Sequence, residues 1–273
     1  MEYKIVITHR SCPDLYRTIT IPDRIVKEID EGNREKAYDL IKAILSVYER
    51  VGDKSFYRTL DGHRFFLDFG DKNKAIQEIF EDFMLHGDYE PESVKLVKEI
   101  VKSGDTAVDL GASIGFYTLL LARLVGEGGR IISVEPTSNQ FPYLVKNVEV
   151  NGYKDRVELV NAAAWNKQLT PIQINAGHEG EIKYAVLDEI LPEKVDFIKM
   201  DVDGSELNAL KGLVKTIERN KQLKIIIEFY PKYLKKLGSG PEETLNFLQS
   251  RFSKIEKMKD YGEGYWNLYC YNA

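Results

Sequence analysis

Two glycines bracket a short turn in the stretch V-D-L-G-A-S-I-G-F, which begins at residue 108. Gly111 and Gly115 separate an apolar run from a helical pattern, so the turn is predicted to join a strand to a helix. Glycine in such a turn lets the backbone approach a ligand closely, and ligands of open parallel sheets bind beyond the carboxyl ends of the strands. The G-x-x-x-G spacing differs from the G-x-G-x-x-G of dinucleotide-binding proteins. A nucleoside ligand is therefore predicted, and glycines that serve packing alone are the alternative.

Glu135 ends the next strand-like run, in S-V-E-P, 24 residues beyond Gly111. An acidic residue at this place in nucleotide-binding sheets accepts hydrogen bonds from ribose hydroxyls. A carboxylate suits a diol because all its oxygens are acceptors. We therefore predict that Glu135 contacts a ribose, and an exposed surface glutamate is the alternative.

A third group of charged residues lies in V-D-F-I-K-M-D-V-D-G-S-E, which begins at residue 195. It places Lys199, Asp201, Asp203 and Glu206 within eight positions, and Glu228 ends the later apolar run I-I-I-E. Like charges this close raise one another's pKa and cost stability, so a functional role is predicted for them. Two uses remain open. One carboxylate acts as a general base beside a cationic ligand, or the oxygens hold a divalent metal.

The elements that position these residues alternate between strand and helix. Strands are predicted at residues 106–110, 130–134, 157–163, 197–202 and 223–229, and helices at 93–101, 116–125, 139–150, 206–219 and 242–252. This alternation predicts an α/β fold with a mostly parallel sheet that helices cover on both faces. Residues 254–259 and 265–271 are predicted to be antiparallel strands, because the turn between them is too short for a crossover. Residues 165–192 interrupt the alternation with two strand-like pieces, 172–175 and 181–184, and a short helix, and are predicted to be a lid or specificity segment.

The first part of the chain lacks this alternation, so we predict a separate extension, residues 1–88, before a main domain, residues 89–273. Apolar side chains at helical spacing predict helices within residues 21–49 and 72–85. The pair Asp61-Gly62, between two β-prone aromatic runs, predicts a β-hairpin.

The composition is that of a globular chain: 273 residues, 43% hydrophobic, 30% charged, with a formal charge of −5 at pH 7. It excludes disordered, collagen-like and disulfide-dense classes. The acidic balance argues against tight sequence-independent binding of nucleic acid, which needs a basic face. Cys12 and Cys270 match no metal motif and are expected to be free thiols. No stretch has the pattern of a signal peptide or a bilayer span, so a cytoplasmic protein is expected.

These motifs together resemble those of class I S-adenosylmethionine-dependent methyltransferases, and more narrowly those of the FkbM family. The resemblance runs from about residue 89 to the end and rests on D-L-G-A-S-I-G-F-Y-T, V-E-P, D-F-I-K-M-D-V-D-G-S-E and I-I-I-E. The family usually has D-V-E-G-A-E where this chain has Asp203 and Ser205, so the acid is kept with a shorter reach. The resemblance implies a Rossmann-like fold with seven strands and an antiparallel last strand, S-adenosylmethionine as cofactor and S-adenosylhomocysteine as product.

The resemblance also implies which residues bind the cofactor. The glycine turn cradles its amino-acid part, Glu135 holds its ribose, and the tip of the third strand lies near its adenine. The implied cofactor-binding residues are Asp109, Gly111, Ala112, Ser113, Gly115, Phe116, Tyr117, Thr118, Glu135, Pro136, Asn161, Ala162, Ala163 and Asp201.

Family members mostly methylate hydroxyls, often on sugars or natural products, and a hydroxyl must lose its proton as it attacks. A positioned base contributes roughly 10²–10⁴-fold to such a step. Asp201 is the predicted base, followed by Asp203 and Glu228; Lys199 steadies a developing alkoxide or pairs with a neighbouring carboxylate. His178, in the interrupting segment, is a further candidate base. Three functions remain open: O-methylation of a small molecule or glycan, methylation of nucleic acid or protein, and nucleoside binding without catalysis.

Overall fold

The computed structural model describes residues 4–9, 12–20, 27, 30–36, 48–51, 54–58, 62–67, 89–167, 172–173, 181–237, 240–260 and 264–272. The chain divides into two compact units, Met1–Tyr89 and Glu90–Ala273. Within the described residues, no helix is both long and apolar enough to cross a membrane.

The N-terminal unit has two small antiparallel sheets among its described residues. The first pairs β1 (Lys4–His9) with β2 (Cys12–Thr20), and the second contains β3 (Tyr48–Val51), β4 (Lys54–Arg58) and β5 (Arg64–Leu67). Arg58 lies opposite Arg64, and Gly62 in the connection has φ 79°. This pairing of β4 with β5 confirms the hairpin predicted from Asp61-Gly62.

The helices predicted for this unit need one correction. A turn at residues 31–32 interrupts the helix predicted over residues 21–49, where Gly32 takes the left-handed φ of 80°, a conformation that commonly ends helices. The last two residues of that interval, Tyr48 and Glu49, belong to β3. Most of the rest of that interval, and all of residues 72–85, lie outside the described residues. The prediction assigned no element to residues 1–20, so β1 and β2 are additions.

The second unit contains the remaining strands and all the helices with defined bounds. The strands are β6 (Thr106–Leu110), β7 (Arg130–Val134), β8 (Val157–Val160), β9 (Ala163–Trp165), β10 (Ile172–Gln173), β11 (Glu181–Ile182), β12 (Tyr184–Val186), β13 (Phe197–Met200), β14 (Lys224–Phe229), β15 (Lys254–Asp260) and β16 (Trp266–Tyr271). The helices are α1 (Pro91–Ile100), α2 (Phe116–Val125), α3 (Phe141–Val150), α4 (Leu187–Ile190), α5 (Glu206–Lys211), α6 (Val214–Arg219), α7 (Pro231–Lys236) and α8 (Pro241–Gln249).

Seven of these strands form one sheet in the order β15–β16–β14–β13–β6–β7–β8. The strands from β14 to β8 in this order are parallel to one another, and β16 is antiparallel to both of its neighbours. The central strands are almost continuously buried, as expected where helices cover both faces of a parallel sheet. The predicted α/β class, the mostly parallel seven-stranded sheet and its antiparallel end are confirmed.

The helix predicted over residues 206–219 is divided into α5 and α6 at Gly212. A Cβ atom on Gly212 would lie 2.2 Å from the backbone oxygen of Trp165, so the chain passes too closely there for any other residue. The carboxylate of Asp188 then accepts hydrogen bonds from the N–H groups of Lys215 and Thr216 at 2.9 and 2.8 Å, which fixes the first turn of α6. The sequence pattern holds no sign of this long-range contact.

The strand predicted over residues 157–163 is also divided. β8 ends at Val160, and β9 leaves the main sheet to pair with β12 from the interrupting segment. The N–H of Ala163 donates to the carbonyl of Lys183 at 2.7 Å. The piece predicted at 172–175 contains β10, and the piece at 181–184 contains β11 and the first residue of β12.

Candidate active site

The turn after β6 packs so closely against the end of β13 that only glycine fits its first position. Gly111 has φ 80°, and a Cβ atom there would lie 1.7 Å from the backbone oxygen of Asp201. The N–H groups of Gly111 and Ala112 both donate to the carbonyl of Val134, at 2.9 and 3.1 Å. The predicted glycine turn is therefore fixed between β13 on one side and β7 on the other.

The rest of this turn also contains backbone that is unusual for residues other than glycine. Ser113 has φ 49°, and its buried hydroxyl has no hydrogen-bond partner among the described residues. Gly115 has φ 99°, and a Cβ atom there would lie 2.8 Å from the side chain of Leu144. The first residues of α2, Phe116 to Thr118, follow directly and are buried. Left-handed strain and unsatisfied buried hydroxyls are concentrated at functional sites, which agrees with a ligand-binding turn.

Glu135 connects this turn to the loop after β7. Its side chain is buried, one carboxylate oxygen accepts the N–H of Ser113 at 2.7 Å, and the other accepts the N–H of Thr137 at 2.7 Å. Each carboxylate oxygen can accept more than one hydrogen bond. Glu135 is thus a buried acceptor at the edge of the glycine turn rather than the exposed glutamate of the alternative interpretation.

The tip of the third predicted strand meets the same loop through one side chain. The amide of Asn161 donates to the carbonyl of Glu135 at 2.8 Å, and a longer bond of 3.4 Å reaches the carbonyl of Pro136. Ala162 is buried, and Ala163 already belongs to β9. Asn161 therefore stays at the edge of the sheet beside Glu135, whereas Ala163 turns away toward the interrupting segment.

Asp109 supports the turn from within the sheet. It is buried, and the hydroxyl of Thr118 donates to its carboxylate at 2.6 Å, while the hydroxyl of Ser133 lies 2.8 Å from that of Thr118. Burial raises the pKa of Asp109 to about 6, and the Thr118 hydrogen bond and the charge of Lys199 oppose that rise. Asp109 and Lys199 are cross-strand neighbours, so this polar pair shares one face of the sheet.

Lys199 is the centre of a buried ion cluster on that face. Its amine lies 3.9 Å from a carboxylate oxygen of Glu90, 3.6 Å from one of Asp201 and 4.9 Å from the centre of the Tyr117 ring. Its side chain is only 1% exposed. Burial disfavours the charged amine, but Glu90, Asp201 and the other acids outweigh it and hold the pKa of Lys199 above its ordinary value. Lys199 therefore keeps its positive charge in the interior.

Glu90 also belongs to this cluster. The sequence alone leaves two roles open for Tyr89 and Glu90, closing over the cofactor or capping the helix that begins after Pro91. Glu90 precedes α1 with a left-handed φ of 46° and is buried. Its carboxylate accepts the hydroxyl of Tyr117 at 2.7 Å and the amide of Asn267 at 3.0 Å. Only folding brings Glu90 next to Lys199, since 109 positions separate them. Asn267 could have been noticed as an amide within the otherwise apolar W-N-L-Y-C-Y of β16.

Asp201 and Glu228 lie side by side at the carboxyl end of the sheet. Met200 is the register partner of Ile227, so the next residues of β13 and β14 are neighbours, as predicted. The N–H of Asp201 donates to the carbonyl of Leu110 at 2.9 Å, and its side chain is 27% exposed. Burial and the charge of Asp201 raise the pKa of Glu228 far above its ordinary value, and Lys199 opposes this rise. These surroundings therefore favour the protonated form of Glu228.

Asp203 and Glu206 belong to the turn that follows Asp201. Asp203 is exposed and has φ 51°, so it lies outside the buried cluster, although its charge still acts on Glu228. Glu206 is buried and accepts the N–H of Gly204 at 3.0 Å. Burial raises the pKa of Glu206 to about 7, and the bond from Gly204 opposes this. Glu206 therefore stabilises this turn through its hydrogen bond with Gly204.

The structure therefore brings the glycine turn, Glu135, Lys199, Asp201 and Glu228 to one edge of the sheet. The unpartnered buried hydroxyl of Ser113 fits a ligand held by this turn, whereas the missing side chain at Gly111 is explained by packing against the backbone of Asp201. Among the described residues, no three acidic, histidine or cysteine side chains converge to hold a metal ion. His178 and the thiol of Cys12 lie outside the described side chains, and Cys270 is a free, buried thiol.

Comparison with known proteins identifies related sequences. The model of the methyltransferase FkbM domain matches residues 109–255, just over half of the chain, and this match includes the glycine turn and both acids at the sheet edge. The protein-L-isoaspartate O-methyltransferase of Aeropyrum pernix is 40% identical over 57 residues, which are 21% of this chain. The chain thus spans 22% of the length of that relative.

Solved structures of low sequence identity also resemble the chain. A proposed rRNA methylase from Clostridium thermocellum has a TM-score of 0.50 at 18% identity, over 67% of this chain and 96% of that one. An S-adenosylmethionine-dependent O-methyltransferase from Thermotoga maritima has a TM-score of 0.49 at 17% identity, over 84% of this chain and 96% of that one. At 18% identity, the similarity to the Clostridium thermocellum structure shows a shared fold and nothing further.

Proposed function

The chain belongs to the FkbM methyltransferase family, and from this premise we propose that it methylates a hydroxyl group of a sugar, glycan or small natural product. It is an S-adenosylmethionine-dependent methyltransferase. The observation that carries the proposal is the pair Asp201 and Glu228, fixed over the buried Lys199 at the sheet edge beside the glycine turn. We assign the methyltransferase domain to residues 89–273 and a separate extension to residues 1–88.

We propose that the cofactor is held by the glycine turn, Glu135 and Asn161. The backbone of Gly111 to Gly115 contacts its amino-acid part, and the buried, unpartnered hydroxyl of Ser113 in this turn supports that placement. The buried carboxylate of Glu135 accepts hydrogen bonds from ribose hydroxyls with its remaining acceptor capacity. When bound, S-adenosylmethionine supplies a methyl group on a positively charged sulfur. The net negative charge of the nearby acids complements that cation.

Asp201 is the proposed general base. It accepts the proton of the acceptor hydroxyl as the oxygen takes the methyl group, so the O–H bond breaks while the O–C bond forms. Lys199 lies 3.6 Å from its carboxylate and holds it in position. The Asp201 side chain is 27% exposed at the sheet edge, so an acceptor hydroxyl can reach its carboxylate. Alignment of the reactants contributes up to about 7–11 kcal/mol to such a reaction, and the base a further factor of roughly 10²–10⁴.

The experiment that tests this assignment is Asp201→Asn, with Asp155→Asn as the matched control. Asp155 is an exposed acid before β8, at the opposite edge of the sheet. Release of S-adenosylhomocysteine is measured with a panel of methyl glycosides and polyols. We expect turnover to fall at least 100-fold in Asp201→Asn, with S-adenosylhomocysteine affinity within about threefold of the wild type. Turnover near the wild-type value would remove Asp201 from the base role.

A nucleic acid acceptor is the second candidate, and one observation favours it. The short helix α7 exposes Lys232, Lys235 and Lys236 next to the sheet edge that carries Asp201. Such a basic surface attracts phosphate groups. The chain as a whole carries a net charge of −5, which opposes this function. Methyl transfer to a structured RNA at 0.15 M salt, and none to the glycosides, would favour the second candidate.

A further inference from the structure

Three tyrosines form a cluster of rings just beyond the carboxyl end of β14. Tyr230 follows β14, Tyr233 lies in α7 and Tyr265 precedes β16. The ring centres of Tyr230 and Tyr233 are 4.3 Å apart, and those of Tyr230 and Tyr265 are 5.4 Å apart. All three residues are partly exposed. We call them the tyrosine cluster.

The tyrosine cluster lies on the sheet face that carries the proposed base. Glu228 is the register partner of Asn267, and Tyr230 and Tyr265 stand two residues outward from these partners. Side chains two residues apart on a strand share a face, and Tyr230 keeps an extended backbone with φ −117° and ψ 93°. The cluster therefore continues the face of Asp201 and Glu228 by about 7 Å, the rise of two strand residues.

The cluster is also fixed to the turn that follows Asp201. A Cβ atom on Gly204 would lie 2.6 Å from the backbone oxygen of Tyr233, so the turn and α7 are in direct backbone contact. Gly204 has φ 98°, and its N–H donates a hydrogen bond to the carboxylate of Glu206. The rings thus keep a set position relative to the carboxylates.

The partial exposure of these rings distinguishes them from the apolar core at the same edge. Phe229 and Leu234, which are the neighbours of Tyr230 and Tyr233 in sequence, are buried in the hydrophobic core. Partly exposed rings beside an active site offer both an apolar face and a hydroxyl group to a ligand. Their place next to carboxylates that accept hydroxyl protons suits a ligand with an apolar C–H face and hydroxyls around its rim, which is a sugar ring.

We propose that Tyr230, Tyr233 and Tyr265 form the surface on which the ring of a carbohydrate acceptor stacks while one of its hydroxyls reaches Asp201. This proposal rests on the proposed function, since it names the acceptor class of the same site. The acids accept hydrogen bonds from the sugar hydroxyls, and the tyrosine rings contact its C–H face.

The test uses the whole chain with four substitutions. Tyr230→Leu and Tyr265→Leu remove a ring but keep an apolar side chain, and Tyr230→Phe keeps the ring without the hydroxyl. Tyr153→Leu is the matched control. Tyr153 is half-buried like the cluster tyrosines, and Arg156 lies over its ring. Tyr153 precedes β8, at the edge of the sheet opposite the carboxyl ends of the strands. Saturation-transfer NMR is recorded with the methyl glycosides of glucose, galactose, mannose, rhamnose, fucose and glucuronic acid, each in excess S-adenosylhomocysteine. Calorimetry measures S-adenosylhomocysteine binding for every variant.

We expect at least one glycoside to receive saturation from the wild type, Tyr153→Leu and Tyr230→Phe. In Tyr230→Leu and Tyr265→Leu its dissociation constant should rise about tenfold, with S-adenosylhomocysteine affinity unchanged. Absence of S-adenosylhomocysteine binding by the folded wild type would overturn the proposed function itself. Intact cofactor binding with no response from any glycoside, or an equal response in the leucine variants, would overturn only the stacking surface. If a single-stranded RNA 12-mer binds, the leucine variants weaken that binding and no glycoside binds, the tyrosine cluster would be a nucleic acid surface instead of a carbohydrate surface.

Discussion

Replacing Lys199 with methionine removes the only cation from a cluster of buried acids in the described part of the structure. The amine lies 3.9 Å from Glu90 and 3.6 Å from Asp201, and the Glu90 side chain is 7% exposed. Without the amine, the Glu90 carboxylate has no counterion and too little water contact to replace one. Removing one partner of a buried ion pair costs about 3–5 kcal/mol. We expect the unfolding free energy of the second unit to fall by that amount in Lys199→Met.

A second substitution separates the ion pair from simple loss of packing. Glu90→Gln keeps an oxygen that can accept the Tyr117 hydroxyl, which lies 2.7 Å from Glu90 in the wild type. When both charges are removed together, neither is left buried alone, and replacing a buried pair by neutral groups is often close to neutral in stability. The double variant should therefore be at least about 1.5 kcal/mol more stable than the sum of the single losses predicts.

The assay can follow this unit alone, because both tryptophans of the chain, Trp165 and Trp266, lie within it. Tryptophan fluorescence is recorded against urea. With an m-value of about 3 kcal/mol per molar urea, the Lys199→Met midpoint should fall by about 1–1.7 M. Lys154→Met is the control, because its exposed pair with Glu149 at 2.6 Å contributes at most about 1 kcal/mol. A Lys199→Met loss below about 1 kcal/mol, or strictly additive losses in the double variant, would refute the reasoning.

Two further substitutions test the turns on either side of Asp201. Gly111→Ala places a Cβ 1.7 Å from the Asp201 carbonyl, so it should abolish S-adenosylhomocysteine binding and lower the unfolding free energy by about 3 kcal/mol or more. Gly152 has a similar φ of 72° but open space where a Cβ would lie, so Gly152→Ala should lower the unfolding free energy by only about 1 kcal/mol. Equal losses of stability in the two variants would argue against the clash at Gly111. Because the folded-state pKa of Glu206 is about 7 against 4.5, wild-type stability should fall as pH rises from 4.5 through 7. Glu206→Gln should lack that fall, because its amide does not ionise and its oxygen still accepts the Gly204 N–H; parallel stability curves for the two proteins would contradict this.

The sheet and its edge could be predicted because both depend on local patterns. Apolar runs mark the strands, alternation with helices makes the sheet parallel, and parallel strands bring their carboxyl ends to one edge. This is why Gly111, Glu135 and Asp201, which are far apart in the sequence, could be assigned to one place. The neighbouring positions of Asp201 and Glu228 follow from the same argument, since β13 and β14 are adjacent and in register.

The buried cluster could not be predicted in the same way, because long-range packing creates it. Nothing near Glu90 in the sequence indicates that its carboxylate faces Lys199 and Asn267. The division of the helix at Gly212 likewise depends on contact with Trp165, and the early end of β8 depends on the pairing of β9 with β12. Residue types alone carry no record of these partners.

The most direct test of the account is calorimetric titration of the purified chain with S-adenosylhomocysteine, beside Glu135→Ala. The wild type should bind in the micromolar range. The substitution removes the acceptor of two N–H groups at 2.7 Å, one buried and one partly buried, and the proposed ribose contact, so affinity should fall by about 1–3 kcal/mol. Glu149→Ala, which changes an exposed glutamate on α3, should bind like the wild type. Absence of binding by the folded wild type, or equal affinity in Glu135→Ala, would contradict the assignment of this sheet edge as the cofactor site.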